Sequence, residues 1–330
     1  MRGFDRGFRA VYRCAGRLTA IRARGCGPGS GHKQVLTVGH PLQHRTAALK
    51  QVAMHYVAAA GAGETIVLLH GWPQTWYAWR MVIPHLARAG FAVIAPDLRG
   101  LGDTSRPADG YDSGSVAGDV TELLQSHLAI PRFHLVGHDW GGATAFAVAA
   151  AAPAAVRSLT VVDVTVPGLG PDLSQGGRRW HHAFHMTPDL PEALTEGRER
   201  VYLSWFYRAF SQRPDAIDTA AIDEYLRSYG RPGALGASFA YYRSIPDTVA
   251  ANQALAKRGF RLAMPVLAVG GGCTAARGRA REPAISLRTI ADDVTEAVIA
   301  DSGHFVPEEQ PAAFADVLLS FLGGLRSTGP

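Results

Sequence analysis

Val136-Gly137-His138-Asp139-Trp140-Gly141-Gly142 ends an apolar run that begins at Phe133, and an Ala-rich helical run follows at once. A buried strand that stops at Gly-x-Asp-x-Gly and turns straight into a helix is the layout of a nucleophile elbow. Such a turn is strained, projects its central side chain into a cleft, and aims the amides of a helix start at it. Here the central residue is Asp139, where acyl-transfer enzymes carry Ser. A carboxylate nucleophile attacks an sp³ carbon and forms an alkyl ester. The motif therefore points to epoxide opening or halide displacement, away from acyl transfer.

The segments on either side repeat the strand–helix rhythm. Short alternating strands are expected at 45–49 and 52–57, and buried strands at 65–69, 91–97 and 159–163. Helical spacing covers 76–89, 115–128 and the run after the elbow to about 152. This alternation implies an α/β fold with a doubly wound, mostly parallel sheet. The rhythm breaks at Pro167 and resumes with strands at 265–270 and 298–300 and a closing helix over 312–322. The stretch between is polar, helical and rich in Trp, Tyr and His. It reads as a helical cap over the carboxyl edge of the sheet, where ligands bind in such folds. The expected division is a basic extension over 1–34, core over 35–166, cap over 167–254, and core again over 255–330.

A chain of 330 residues is long enough for one large domain with an insertion. Its net charge of +5 misleads. Residues 1–34 carry eight basic side chains against Asp5 alone, a net +7, so the remaining 296 residues carry −2. The body thus has no charge support for nucleic-acid or membrane binding. The extension is expected to be a disordered leader; it lacks the apolar stretch of a secretory signal, and no run long enough to insert into a membrane occurs anywhere. Three cysteines (Cys14, Cys26 and Cys273) make no disulfide framework, which favours a reducing cytoplasm.

Four motifs occur in order: His70-Gly71-Trp72-Pro73 directly after a buried strand, the Asp139 elbow, Tyr241-Tyr242-Arg243 in the cap, and a late Gly303-His304. Together they resemble the epoxide hydrolases of the α/β-hydrolase fold, from about residue 44 to 323, and most closely the Cif-like branch. The resemblance implies a nucleophile, Asp139, with the backbone N–H groups of Trp72 and Trp140 as oxyanion hole. It implies His304 as the base that activates water against the ester. The usual position of the orienting acid, after the strand that follows the cap, reads Gly270-Gly271-Gly272-Cys273-Thr274-Ala275-Ala276-Arg277-Gly278 and holds no carboxylate. Asp163, at the end of the strand after the elbow helix, matches the alternative placement. Tyr242 matches one donor to the epoxide oxygen, and His181 stands where the Cif-like pattern has a histidine in place of the other tyrosine. His182, Tyr241 and Trp205 are expected to touch substrate, with His182 and His185 as weaker candidates for the donor role.

The resemblance implies no cofactor and no metal; the His cluster has no carboxylate at ligand spacing. The expected substrates are water and a small apolar epoxide, because Trp205, Phe206, Tyr207, Phe210 and Phe239 suggest an apolar cleft, although the same residues suit a cap core. A homodimer is left open. A haloalkane dehalogenase shares the elbow and Trp140 but wants an Asn where Trp72 stands. A fluoroacetate dehalogenase wants arginines where Trp140 and Ala143 stand. A non-catalytic binding protein on this fold predicts damage to the catalytic set, yet Asp139 and His304 are both present.

Overall fold

The computed structural model describes residues 42–171 and 179–327. The expected 1–34 extension, with Cys14 and Cys26, lies outside the described residues. Eight strands form one sheet in the order β1-β2-β4-β3-β5-β6-β7-β8. They are β1 (Gln43–Ala48), β2 (Ala53–Ala59), β3 (Thr65–Leu69), β4 (Ala92–Pro96), β5 (Phe133–His138), β6 (Val156–Val162), β7 (Val266–Gly271) and β8 (Val294–Ile299). β1 pairs antiparallel with β2, and β2 with β4; the other ladders are parallel.

Parallel strands covered on both faces need apolar side chains on both faces, which explains the continuous runs in the sequence. In β3 and β5 the residues alternate between the two sides. Val67, Leu69 and Leu135 join one core cluster, and Ile66, Leu68 and Val136 join the other. Strand order reverses at β3, which lies between β4 and β5. A crevice opens beyond the carboxyl ends of strands at such a switch point. The loop after β3 and the elbow after β5 therefore meet there.

The core helices are α1 (Ile83–Arg88), α2 (Ser113–Thr121) and α3 (Trp140–Ala151). Two of the expected helices are broken. The 76–89 stretch splits into a 3-10 turn, Trp76–Trp79, and α1, which starts with Pro84 in its first turn. The 115–128 stretch begins earlier, where Asp112 caps Gly114 and Ser115 N–H groups at 3.0 Å, and widens into π-type turns over Glu122–His127. Between β6 and β7 stand α4 (Trp180–Met186), α5 (Leu190–Thr195), α6 (Glu199–Ala209), α7 (Thr219–Tyr229), α8 (Ala234–Arg243) and α9 (Ile245–Lys257). After β7 come α10 (Glu282–Leu287), α11 (Val306–Glu309) and α12 (Pro311–Ser327).

The inserted helices are pinned to the strand-end loops by buried hydroxyls. Tyr207 donates to the Pro73 carbonyl, Tyr229 to Gln74 at 3.0 Å, and Tyr241 to Arg99 at 2.8 Å. Each bond satisfies a loop carbonyl that the cap would otherwise bury unpaired. Among the described residues, no helix is long and apolar enough to cross a membrane.

Candidate active site

Asp139 stands between β5 and α3 with φ 50° and ψ −120°, a conformation that costs energy for any residue with a Cβ. The strain is held by close backbone packing on both sides. A Cβ at Gly137 would sit 2.1 Å from the Gly141 carbonyl oxygen, and one at Gly141 would sit 2.2 Å from that of Leu69. Only glycine lets the turn fold this tightly. The Trp72 N–H donates to Asp139 Oδ1 at 3.0 Å, and the Trp140 N–H also donates to this carboxylate. Burial alone would raise the Asp139 carboxyl. The neighbouring His304 and His138 rings and the two N–H groups outweigh it and hold the group below the usual carboxylate value.

His304 follows β8 and faces the elbow. Its Nε2 is 3.6 Å from Asp139 Oδ2, and its Nδ1 is 2.7 Å from Asp163 Oδ2. Asp163 sits just past β6 with φ 50° and is fully buried. Its other oxygen accepts the Gly271 N–H at 2.8 Å and the Arg279 N–H at 2.7 Å. Three donors therefore compensate the buried carboxylate, as its desolvation requires. The backbone of His304 is fixed too: its N–H donates to Phe210 at 2.8 Å, and its carbonyl is 2.9 Å from His138 Nε2. Burial and the nearby His304 push His138 down to about 4, so at neutral pH it is an uncharged donor.

Two residues beside the late histidine carry structure. Glu309 accepts N–H groups from Gly303, Phe305, Gln212 and Arg213, tying the His304 loop to the end of α6. Glu308, fully buried, contacts Gln74 and Arg80 and accepts from Tyr225 at 2.9 Å. It anchors the loop that carries Trp72.

From the cap, α8 presents Tyr242 to the cavity above Asp139. Burial, then the Asp139 charge, lifts its phenol well above the ordinary range, so the proton stays on. The Trp140 indole N–H hydrogen-bonds the Tyr242 oxygen, which leaves the phenolic proton to donate elsewhere. His181, on α4, also lines the cavity and is 4% exposed. Its Nδ1 has no hydrogen-bond partner among the described residues. Burial, with His182 and His185 adding to it, keeps this imidazole neutral. His182 lines the cavity as well, and burial with the Arg179 charge pushes it down to about 3.

Three expected contacts fall elsewhere. Tyr241, one residue along α8 from Tyr242, points away from the cavity and donates to Arg99. Successive helical positions lie about 100° apart, so only one of the pair can face the cleft. Trp205 is 43% exposed on the outside of the cap, packed on Trp180 and Phe206. His185 stacks on Phe239 at 4.4 Å and pairs with the Tyr202 hydroxyl inside the cap. Phe206, Tyr207 and Phe239 are fully buried cap core; of the aromatics expected to line an apolar cleft, Phe210 does so.

The sequence reading did not anticipate three arginines in the cavity wall: Arg179 at the start of α4, and Arg277 and Arg279 after β7. The signal was present in the segment that lacked the expected acid, where arginines stand at 277, 279 and 281. The cavity measures about 160 Å³. That is close to the roughly 150 Å³ that admits a benzene-sized guest.

This arrangement sets a carboxylate with two backbone donors before a His–Asp pair, with the Tyr242 and His181 side chains lining the same cavity. Residues 64–311 match the family described as the alpha/beta hydrolase fold. A soluble epoxide hydrolase from Corynebacterium sp. strain C12 is 37% identical over 297 residues, 86% of this chain and 99% of that protein. The solved structure of the epoxide hydrolase CorEH superposes with a TM-score of 0.79 at 35% identity, covering 86% of this chain and 100% of its own. That of Cfl2 from Burkholderia cenocepacia gives 0.78 at 42% identity over 85% and 95%. The chain belongs to the α/β-hydrolase fold family and, within it, to the epoxide hydrolases.

Proposed function

We propose that the enzyme opens a small epoxide to a vicinal diol through an alkyl ester on Asp139. The observation that carries this reading is the line Asp139–His304–Asp163, with separations of 3.6 and 2.7 Å, beneath the Tyr242 hydroxyl. Asp139 Oδ2 attacks an epoxide carbon, the C–O bond breaks, and the departing oxygen takes the Tyr242 proton while the neutral His181 ring donates a hydrogen bond to it. Water then adds to the ester carbonyl carbon while His304 Nε2 accepts its proton. Asp163 keeps the Nδ1 proton in place and stabilises the imidazolium. The tetrahedral oxyanion is held by the Trp72 and Trp140 N–H groups. Its collapse expels the diol oxygen, which is protonated from His304, and the Asp139 carboxyl left behind returns its proton to the Tyr242 phenolate, restoring both groups. No cofactor takes part in this scheme. Three cysteines and no disulfide framework support a cytoplasmic setting.

Halide displacement on the same Asp is the competing chemistry. It needs an indole N–H pointing at the leaving halide, and here that of Trp140 is taken by Tyr242. Trp180 and Trp205, the cap residues that could substitute, are 44% and 43% exposed. The two reactions separate on epibromohydrin, with bromide and diol followed in parallel. Diol formation with the C–Br bond intact, lost in Asp139→Ala, is expected. Bromide release with the ring intact, or diol formation that persists in Asp139→Ala, contradicts the proposal.

A further inference from the structure

We propose that the epoxide carries an alkyl substituent, lodged against a wall of Ala143, Val164, Ile245 and Val249 that selects it over a polar one; this rests on the epoxide-opening reading above. All four side chains line the cavity with Asp139 and Tyr242. The wall begins next to both reacting groups. Ala143 stands one turn past the nucleophile on α3, its N–H bonded to the Asp139 carbonyl at 3.2 Å. Ile245 opens α9, three residues after Tyr242.

Close packing joins the three elements that supply these side chains. Val164 follows Asp163 and packs onto α3: a Cβ at Gly142 would sit 2.5 Å from its side chain. Val249 packs onto the segment after β6, where a Cβ at Gly168 would sit 2.9 Å from its side chain. Positions 245, 249 and 252 share one face of α9, and that face is fixed in place. Asn252 donates to the Pro167 carbonyl at 2.9 Å, and Thr248 accepts the Ser113 N–H at 3.1 Å. The segment after β6 is held in turn by Ser286, which accepts the Val166 N–H at 3.1 Å and donates to the Leu169 carbonyl at 3.0 Å. The wall is thus braced on both of its sides.

Val164, Ile245 and Val249 are only half-buried. An alkyl group laid against them removes apolar surface from water on both partners. A hydroxyl in the same place gives up its water and meets carbon. Among the described residues, Thr165 is the one lining side chain besides Tyr242 that carries a hydroxyl. 1,2-Epoxybutane and glycidol have equal numbers of heavy atoms and differ by a terminal methyl against a hydroxyl. They therefore isolate polarity from size. The inductive pull of the glycidol hydroxyl assists departure of the ring oxygen, so intrinsic reactivity does not favour epoxybutane.

The test measures kcat and KM for both epoxides on the full chain. The wild type is expected to prefer 1,2-epoxybutane by about tenfold or more in kcat/KM, carried by KM. Val249→Thr keeps the shape of the side chain and puts a hydroxyl into the wall; it should reduce the preference to under about threefold. The wild-type comparison needs no variant, so misfolding of Val249→Thr leaves the claim exposed. Equal conversion, or a preference for glycidol such as a bond to Thr165 would give, overturns this inference and leaves the proposed reaction standing. An unchanged preference in Val249→Thr overturns the assignment of the wall to α9. No diol from either epoxide overturns the underlying reaction instead.

Discussion

Exchange of Asp163 for Asn separates the two halves of the proposed cycle. One oxygen of Asp163 faces His304 Nδ1 at 2.7 Å, and the other accepts the N–H groups of Gly271 and Arg279. In Asp163→Asn the amide oxygen can keep both backbone donors, so no buried N–H is orphaned and folding changes little. The amide NH2 then faces Nδ1 and donates to it. The imidazole must carry its own proton on Nε2, the nitrogen that faces Asp139, and there it cannot accept a proton from water. A wrong tautomer of this kind costs roughly three to four decades in a relay of this design, or about 4 to 5 kcal/mol of barrier. Ring opening uses Asp139, Tyr242 and His181 and should fall by less than about tenfold. The ester must then accumulate. Rapid mixing followed by intact-mass measurement should show near-stoichiometric enzyme carrying one epoxide equivalent, with steady-state diol formation nearly abolished. Unchanged turnover, or loss of adduct formation with hydrolysis intact, refutes the role given to Asp163.

Other consequences follow from the same geometry. Tyr242→Phe should slow alkylation by roughly one to three decades through loss of a preorganised donor, seen in single-turnover adduct formation; wild-type kinetics would move the role to His181 alone. Tyr241→Phe should cost about 1 kcal/mol of stability from the bond to Arg99 while leaving the alkylation rate near wild type, which denaturant melts and the same kinetic assay can read. Glu308→Ala strands the Arg80 charge and should destabilise the fold by about 3 to 5 kcal/mol in urea titration; a loss under 1 kcal/mol contradicts the anchoring role. His138 is held near 4 in the fold against 6.5 as a free side chain, so between those values the unfolded chain binds the extra proton and stability rises with pH. Acidification from pH 6.5 to 4 should therefore remove about 3 kcal/mol through His138, and His138→Gln should flatten the stability–pH profile across that window.

What the sequence disclosed was whatever is local in the chain. The elbow is read from six residues because its glycines are demanded by backbone contacts within the turn and with β3. Asp163 and His304 each lie in the loop that follows a strand, so the alternation of strands and helices locates them before any distance is known. The cap chemistry was less legible because it depends on helix phase. Tyr241 and Tyr242 are adjacent and chemically identical, and the choice between them is made by the Arg99 carbonyl, 142 positions away in the chain. Trp205 and Phe206 share the same ambiguity, with Phe206 turned into the cap core and Trp205 turned out. The arginines were hidden for another reason. The loop after β7 has no period; Arg277 and Ala280 both adopt positive φ, and Gly278 and Ala280 hydrogen-bond back to Cys273 and Gly271. Which of its side chains reach the cavity is decided by that folding back.

The central claim is that Asp139 itself supplies an oxygen to the diol, and a single turnover in ¹⁸O-labelled water tests it directly. With enzyme in excess over 1,2-epoxybutane, the account predicts unlabelled diol from the first turnover and one ¹⁸O left in the peptide containing Asp139. Labelled diol from that first turnover, with Asp139 unlabelled, would mean that water attacks the epoxide directly and that no ester forms.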